Sequence, residues 1–330
     1  MKPLVSFCLK SYNGRRYLRE SMEGAFAQTY RPLEIVVSDD ASTDGSWETI
    51  QAEVAKRGAI EGVRVVLNRN PTNLGSLGNW ERLCELASGE LLIKADGDDI
   101  SLPERTERIV DAWFADGKRA TVICHSGWQI GIDGRSCGRL RQVLPEWPLG
   151  AAMAFSDRVF KFYGRSSDGS LVDDEVLVRR AQMLGPALVI ADRLVKYRLG
   201  SGQTTDEWNI RSVVEKCTAM SLAAVRNVRQ RDLPKARRVL GPDASARWEK
   251  RFRHQERRLE AKSRLVTSRK LAQRWTAFRD MGQVHWLSVS GFLRLSFLLP
   301  RPMGSPLLFA YVGIRNLWRR VPGICRIHSR

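Results

Sequence analysis

Four short apolar runs, Leu4–Lys10, Leu33–Ser38, Val63–Leu67 and Leu91–Ala95, are separated by segments whose apolar residues recur at helical spacing. Such alternation predicts an α/β domain, a mostly parallel Rossmann-like sheet with helices on both faces, because parallel strands need crossovers and bury both their sides. The first helical stripe is Tyr17, Leu18, Met22, Ala25 and Phe26. Trp47, Ile50 and Val54 form the second, behind Asp44 as a candidate cap, and Trp80, Leu83, Leu86 and Ala87 form the third. Beyond a sheet edge expected at Ala120–Cys124, Asp133-Gly134 signals a hairpin. The Gly/Ser-rich stretch Gly164–Ser170 then marks a less regular half.

The chain is 330 residues long, which predicts more than one compact unit. Its 43% hydrophobic and 27% charged content excludes wholesale disorder, a collagen-like repeat and a polytopic membrane protein. The net charge of +18 is not evenly spread: residues 1–200 hold 27 basic and 27 acidic side chains, residues 201–330 hold 27 and 9. From Asp206 to Phe278 the pattern is of Arg-rich helices, with Trp248, Phe252, Leu259, Val266 and Trp275 near multiples of 3.6 and breaks at Pro234 and Gly241-Pro242. Trp286–Leu299 and Pro306–Ile314 are apolar, but neither reaches the ~18–20 residues that cross a bilayer. The expected organisation is a domain over 1–205, a basic helical region over 206–281 and an amphipathic, basic and apolar tail over 282–330. Six scattered cysteines without a C-x-x-C pair argue against metal knuckles and disulfides. The run Leu4–Leu9 is too short for a secretory leader, so a cytoplasmic location is expected.

Ligands of open α/β sheets gather outside the carboxyl ends of the strands. Three of those ends are polar together: Lys10-Ser11-Tyr12-Asn13-Gly14, Ser38 to Asp44, and Asp96-Gly97-Asp98-Asp99. Three carboxylates in four residues repel one another unless a cation neutralises them. Hard oxygen donors select Mg²⁺ or Mn²⁺, which take few protein ligands and fill the remaining positions with water and substrate phosphate. An EF-hand is disfavoured, because Leu102-Pro103 turns the chain into a helix before Glu107.

The order and spacing of several motifs resemble the family 2 glycosyltransferases of GT-A fold. The motifs are Ser11-Tyr12-Asn13, Gln28-Thr29-Tyr30, Asp39 to Asp44, Asn73-Leu74-Gly75 with Asn79, Ala87-Ser88-Gly89-Glu90, Asp96 to Asp99 with Leu102-Pro103, and Asp173-Asp174. The resemblance implies a nucleotide-sugar lying across the strand ends, bound by Ser11, Tyr12, Asn13, Asp39, Asp40, Asn79 and Asp96. In that reading Tyr12 stacks on the base, Asp39 or Asp40 accepts from its imino group, Asp96 lies near the ribose and Asp98 is the metal ligand. Asp174, followed by Leu177 and Arg180 as in the family pattern, is the implied general base, with Asp173 or Glu175 as alternatives. The implied reaction is metal-dependent transfer with inversion, UDP being the favoured nucleotide.

Two features depart from the family pattern: Tyr197-Arg198-Leu199-Gly200 lacks the histidine that often ends this domain, and Lys10 stands beside the base-stacking Tyr12, free to meet donor or solvent. The resemblance stops near residue 205. Beyond it, the basic, Arg-flanked apolar pieces over 286–320 read as an attachment to an anionic membrane surface, on the inner face of the cell membrane, with packing on the catalytic domain as the alternative. Packing is the reading for Trp248–Phe278. Such attachment suits a saccharide or lipid-linked saccharide acceptor of surface-polysaccharide or lipopolysaccharide assembly. Nucleic acid is not an expected partner, since no recognition motif accompanies the charge. The alternatives are a degenerate nucleotide-sugar-binding scaffold and a nucleotidyltransferase.

Overall fold

The computed structural model describes residues 2–139, 150–166, 168–169, 171–201 and 210–268, with 272, 273 and 276. The chain divides into two compact units, Met1–Gly202 with Asn227–Trp248 and Gln203–Arg226 with Glu249–Arg330.

In the first unit, β1 (Val5–Ser11), β2 (Leu33–Asp39), β3 (Val63–Arg69) and β4 (Leu91–Asp96) run parallel in the order β3-β2-β1-β4. The crossovers are α1 (Arg15–Phe26), α2 (Ser46–Arg57) and α3 (Gly75–Leu86), on the three stripes read from sequence. Phe7, Leu9, Ile35, Val37, Leu91 and Ile93 pack with Leu18, Met22 and Ile50 in one buried core. Each such side chain contributes about 1.5–3 kcal/mol on burial. The N-cap of α2 is Gly45 rather than Asp44, but Asp44 just before it accepts the backbone N–H of Ser46 at 3.0 Å and that of Arg15, also at 3.0 Å, so one carboxylate ties the starts of α2 and α1 together.

The second half adds β5 (Ile100–Ser101), α4 (Arg105–Ala115), β6 (Val122–Ile130), β7 (Ser136–Arg139), β8 (Met153–Ser156), α5 (Arg158–Tyr163), α6 (Asp173–Leu184) and β9 (Ala187–Arg198). The sheet continues β4-β8-β6-β9-β5, with β7 on β6. Here the pairing is mixed: β8 is antiparallel to β4 and β6, β9 is parallel to β6, and β5 is antiparallel to β9. The edge expected at Ala120–Cys124 is therefore interior. Val122, Ile123 and Cys124 are fully buried because strands distant in sequence flank them on both sides. The hairpin at Asp133-Gly134 forms, with Gly131 N–H donating to the Arg135 carbonyl at 2.8 Å and Gly134 at φ +78°.

Three helices follow, α7 (Ile210–Asn227), α8 (Leu233–Ala236) and α9 (Pro242–Thr267). Both breaks read from sequence are helix starts: Pro234 lies in the first turn of α8 and Pro242 opens α9. The π-helical turn Val228–Asp232 and α8 belong to the first unit, and Arg180 fastens them there. Its Nε donates to Asp232 at 2.8 Å and its Nη1 to Glu81 at 3.1 Å, all three side chains being 2% exposed, and its guanidinium lies over the Tyr163 ring.

In the second unit, α7 buries Ala224 and Val225 and α9 buries Phe252, Ala261, Leu265 and Val266, with Arg226 paired to Glu260 at 2.6 Å. Lys250, Arg253, Arg257 and Arg258 lie on the exposed side of α9. Among the described residues no helix is long and apolar enough to cross a membrane. Trp275 and the tail over 282–330 lie outside the described residues.

Breaking a buried ion pair from one side strands its partners. Arg180→Met is therefore expected to lower unfolding stability by about 3–5 kcal/mol in urea titration, whereas Arg253→Met on the exposed side of α9 should shift it by less than about 0.5 kcal/mol.

Candidate active site

The carboxyl ends of β1 and β2 are laced together by Asn13. Its backbone sits in the left-handed region at φ +47°, its Oδ1 accepts from Thr43 N–H at 2.9 Å, and its own N–H donates to Ser42 Oγ at 2.9 Å. That turn leaves the Tyr12 ring 38% exposed, a face open to stacking. Beside it Asp39 is fully buried, with Oδ2 accepting Ser42 N–H at 3.0 Å and ion-paired to Arg69 Nε at 3.6 Å. Asp39 Oδ1 and Ser11 Oγ are buried with no hydrogen-bond partner among the described residues. Buried polar atoms left bare cost about 1–3 kcal/mol each, so their persistence at a strand end marks a place where a ligand or water binds.

Asp40 is differently spent. Its Oδ1 accepts from Asn70 Nδ2 and Leu74 N–H, each at 2.8 Å, and its Oδ2 from Gly75 N–H at 3.0 Å. Of the two acids, Asp39 retains the bare oxygen while Asp40 anchors the start of α3. Asn79 is 2% exposed and lies under the strand ends, accepting from Ser38 Oγ at 2.6 Å and donating to the Ser38 carbonyl at 3.2 Å.

At the other side, α6 brings its first turn against β1 and β4. Asp173 Oδ2 accepts from Lys10 Nζ at 2.6 Å and Lys94 Nζ at 3.0 Å, and its Oδ1 from Ser76 Oγ at 3.0 Å. Both lysines also reach Asp96 Oδ1, each at 3.2 Å. Burial alone would raise the Asp173 pKa, but Lys10 and Lys94 outweigh it and hold the carboxyl well below the usual range. Asp96 is likewise lowered, the same two lysines overcoming burial. Asp174 differs from both. Gly150 N–H donates to its Oδ2 at 2.8 Å, while Oδ1 accepts no hydrogen bond among the described residues and has Lys94 Nζ at 3.5 Å. Burial and the neighbouring Asp173 charge push its pKa up to about 6. A carboxylate with one oxygen fixed, one bare and a pKa near neutrality is suited to accept a proton.

Asp98 sits between these regions. Its Oδ2 accepts from Ser201 Oγ at 2.7 Å, and burial with the nearby Asp96 charge raises its pKa. Asp99 is raised further by burial and by Asp98, and is committed to the Arg198 backbone N–H at 2.7 Å. Among the described residues no group of three His, Cys, Asp or Glu side chains could cage a metal. A single carboxylate such as Asp98, completed by water and phosphate, is a donor set that Mg²⁺ and Mn²⁺ accept. The segment that lacks the family histidine is not inert here: Arg198 Nε donates to the Asp98 carbonyl at 2.9 Å, and Ser201 holds the carboxylate.

Lys94, Ser76, Gly150 and Ser201 are the site residues that sequence reading missed. Lys94 had a signal: a lysine inside Leu91-Leu92-Ile93-Lys94-Ala95 is only 1% exposed at its side chain, and a buried ammonium needs an acidic partner. Of the two environments left open for Lys10 by sequence, it does not simply lie in solvent, being bound to Asp173, Asp96 and Ser76.

A parallel half-sheet continued by a mixed half, with helices on its faces, is the fold of the GT-A glycosyltransferases. Two solved structures share it. S. aureus TarS 1–349 superposes with a TM-score of 0.55 at 17% identity, covering 96% of this chain and 89% of that one. Mannosyltransferase PcManGT from Pyrobaculum calidifontis, in complex with GDP-Man and Mn²⁺, gives 0.56 at 17% identity over 97% of this chain and 89% of its own. The chain belongs to glycosyl transferase family 2, whose profile matches residues 6–177, over half of its length. Among curated proteins, the putative glycosyltransferase EpsE of Bacillus subtilis (strain 168) is 36% identical over 157 residues, 46% of this chain and 52% of that protein. The Escherichia coli UDP-Glc:alpha-D-GlcNAc-diphosphoundecaprenol beta-1,3-glucosyltransferase WfaP is 30% identical over 96 residues, 29% of this chain and 36% of that protein. The matched part thus spans about half the length of the first relative and about a third of the second.

A carboxyl whose pKa is higher folded than unfolded binds more protons in the folded state, so it lowers stability as pH rises from the unfolded value toward the folded one. For Asp174 that window runs from 3.8 to about 6. Asp174→Asn, which has no charge to bury, is expected to match the wild type in stability near the bottom of the window and to exceed it increasingly up to the top. Urea midpoints across pH check this, and a difference that does not grow with pH would contradict the raised pKa.

Proposed function

We propose that this chain transfers a sugar with inversion from a nucleotide-diphosphate donor to a saccharide or lipid-linked saccharide acceptor, in cell-surface polysaccharide or lipopolysaccharide assembly. The observation that carries the reading is the pairing of bare acceptors at one side, Asp39 Oδ1 and Ser11 Oγ, with a bare, near-neutral carboxylate oxygen at the other, Asp174 Oδ1. The nucleobase stacks on Tyr12, and Asp39 accepts from its imino N–H. Asp40, Asn13 and Asn79 hold the loops that shape this pocket, and Asp96 lies toward the ribose with its charge set by Lys10 and Lys94.

Asp174 accepts the acceptor hydroxyl proton as that oxygen attacks the anomeric carbon. The bond from the anomeric carbon to the diphosphate breaks, and its electron pair leaves with the nucleotide. Mg²⁺ or Mn²⁺ at Asp98 would supply neutralising charge for the leaving diphosphate. A UDP-sugar is the favoured donor: WfaP is a UDP-Glc:alpha-D-GlcNAc-diphosphoundecaprenol glucosyltransferase, and S. aureus TarS 1–349 forms a complex with UDP-GlcNAc. Attachment to the inner face of the cell membrane is supported by the basic excess beyond residue 200 and by Lys250, Arg253, Arg257 and Arg258 on the exposed side of α9.

Calorimetry with UDP, GDP and dTDP, each with and without Mn²⁺, tests the donor site. One nucleotide is expected to bind in a metal-enhanced way that Asp98→Ala removes, and Tyr12→Ala is expected to weaken it by about 10-fold or more, in keeping with the ~1–3 kcal/mol of a base stack. Asp174→Asn is expected to keep that binding while turnover drops by about 10²–10⁴-fold. Absence of binding by any nucleotide would overturn the assignment.

A further inference from the structure

Lys94 is a buried cation in the middle of β4 that the transfer chemistry does not itself require. Its ammonium lies 3.2 Å from each oxygen of Asp96, 3.0 Å from Asp173 Oδ2 and 3.5 Å from Asp174 Oδ1. Its backbone is fixed as well, since the Lys94 carbonyl accepts from Arg105 Nη2 at 2.8 Å and Arg105 is itself fully buried. Gly150 opens the 3₁₀ turn Gly150–Ala152 that leads into β8, the strand beside β4. A side chain at this position would collide with the site: a Cβ built there falls within 3.0 Å of both Asp174 Oδ1 and Lys94 Nζ. The gap occupied by the lysine and the aspartate therefore exists because residue 150 has no side chain.

We propose that Lys94 and Gly150 form a positioning clamp on Asp174: the Gly150 N–H fixes one carboxylate oxygen, and the Lys94 ammonium, held beside the other, sets its charge without consuming its lone pairs. The inference rests on the reading of Asp174 as the proton acceptor. A direct hydrogen bond from Lys94 would occupy the oxygen that has to take the proton, and a more distant lysine would leave the buried acid protonated at working pH. At 3.5 Å the cation does neither. Lys94 remains at that distance because Asp96 and Asp173 hold it from two sides, and Asp173 in turn is secured by Lys10 and Ser76.

The charged and titratable groups facing Asp174 are Asp173 on its own helix, Lys94 and Asp96 on β4, Lys10 on β1 and Tyr197 on β9. Burial and the surrounding acids push the Tyr197 phenol up to about 12, so it carries no charge through the neutral range. Of the two lysines, Lys94 stands above Lys10 among the influences that lower the Asp174 pKa. Removing it should raise that pKa further, since an opposite charge within ~4–6 Å commonly lowers a carboxyl by about 1–3 units.

Carbon-13 NMR of the full chain labelled at aspartate carboxyls, with Asp174→Asn assigning the resonance, reads the Asp174 midpoint directly and needs no donor or acceptor. Lys94→Met is expected to raise the midpoint by about one unit, and Lys94→Arg, which keeps the cation, to hold it closer to the wild type. Gly150→Ala changes no charge, yet it is expected to raise the midpoint too by displacing the carboxylate from its N–H donor and from Lys94. If Lys94→Met does not fold, Gly150→Ala and Lys94→Arg decide. An unmoved midpoint in the folded Lys94→Met and Gly150→Ala proteins overturns the clamp, and a shift in Lys94→Met alone overturns the part assigned to Gly150. The proton-acceptor reading fails separately, if Asp174→Asn turns over donor at the wild-type rate while the NMR shifts still occur.

Discussion

Two lysines and three aspartates, drawn from β1, β4 and α6, share one buried cluster, and the rest of the site is arranged around it. Lys10 and Lys94 each bridge Asp96 to Asp173, so the carboxyl ends of two adjacent parallel strands are locked to the start of a helix 163 residues beyond Lys10. Two buried ammonium groups among carboxylates are stable only as a set, because each desolvated charge is compensated by the others. The cluster also sorts the acids by task. Asp173, bracketed by both lysines, is held ionised, while Asp174, one residue on, has one oxygen fixed by the Gly150 N–H and the other bare of hydrogen bonds beside Lys94.

The carboxyl ends of β1 and β2 follow the opposite principle. There the polar groups are mostly consumed by the protein's own loops: Asp40 clamps the start of α3, Asn13 ties two strand ends, and Asn79 underpins both. Against that background of satisfied donors and acceptors, Asp39 Oδ1 and Ser11 Oγ stand out as bare. The hydrogen bonds of these loops are internal, and a preorganised frame lowers the ordering cost of binding any ligand.

The remaining elements support these two regions from behind. Arg105 holds the Lys94 backbone through the core, and Arg198 threads from β9 to the carbonyl of Asp98 and its backbone N–H to Asp99. Arg180 ties α6 to Glu81 on α3 and to Asp232, which places the helix bearing Asp173 and Asp174 and retains the segment Asn227–Trp248 in the same unit. Three buried arginines thus do structural work at the rear of a site whose front is acidic.

The local pattern determined the first half of the fold. Apolar runs of strand length with helical stripes between them produced β1 to β4 and α1 to α3 nearly where expected, since each unit is built from contacts close in sequence. The acids at the strand ends were legible for the same reason, as was the α6 stripe behind Asp173 and Asp174. What the sequence left open was decided by pairings between distant segments. Ala120–Cys124 looked like an edge because β8 and β9 are distant in sequence, and only their arrival on either side made that stretch interior. Lys94 has Asp96 two residues away, and Lys10 meets the same acid across the β1–β4 pair, but only the docking of α6 brings Asp173 to both. Likewise, Asp39 and Asp40 are equivalent in sequence, and only the position of Asn70, Leu74 and Gly75 consumes one acid and spares the other. Composition and periodicity fix which surfaces are buried, but the charge state and free lone pairs of a buried acid depend on which distant groups the tertiary structure sets within a few ångströms of it.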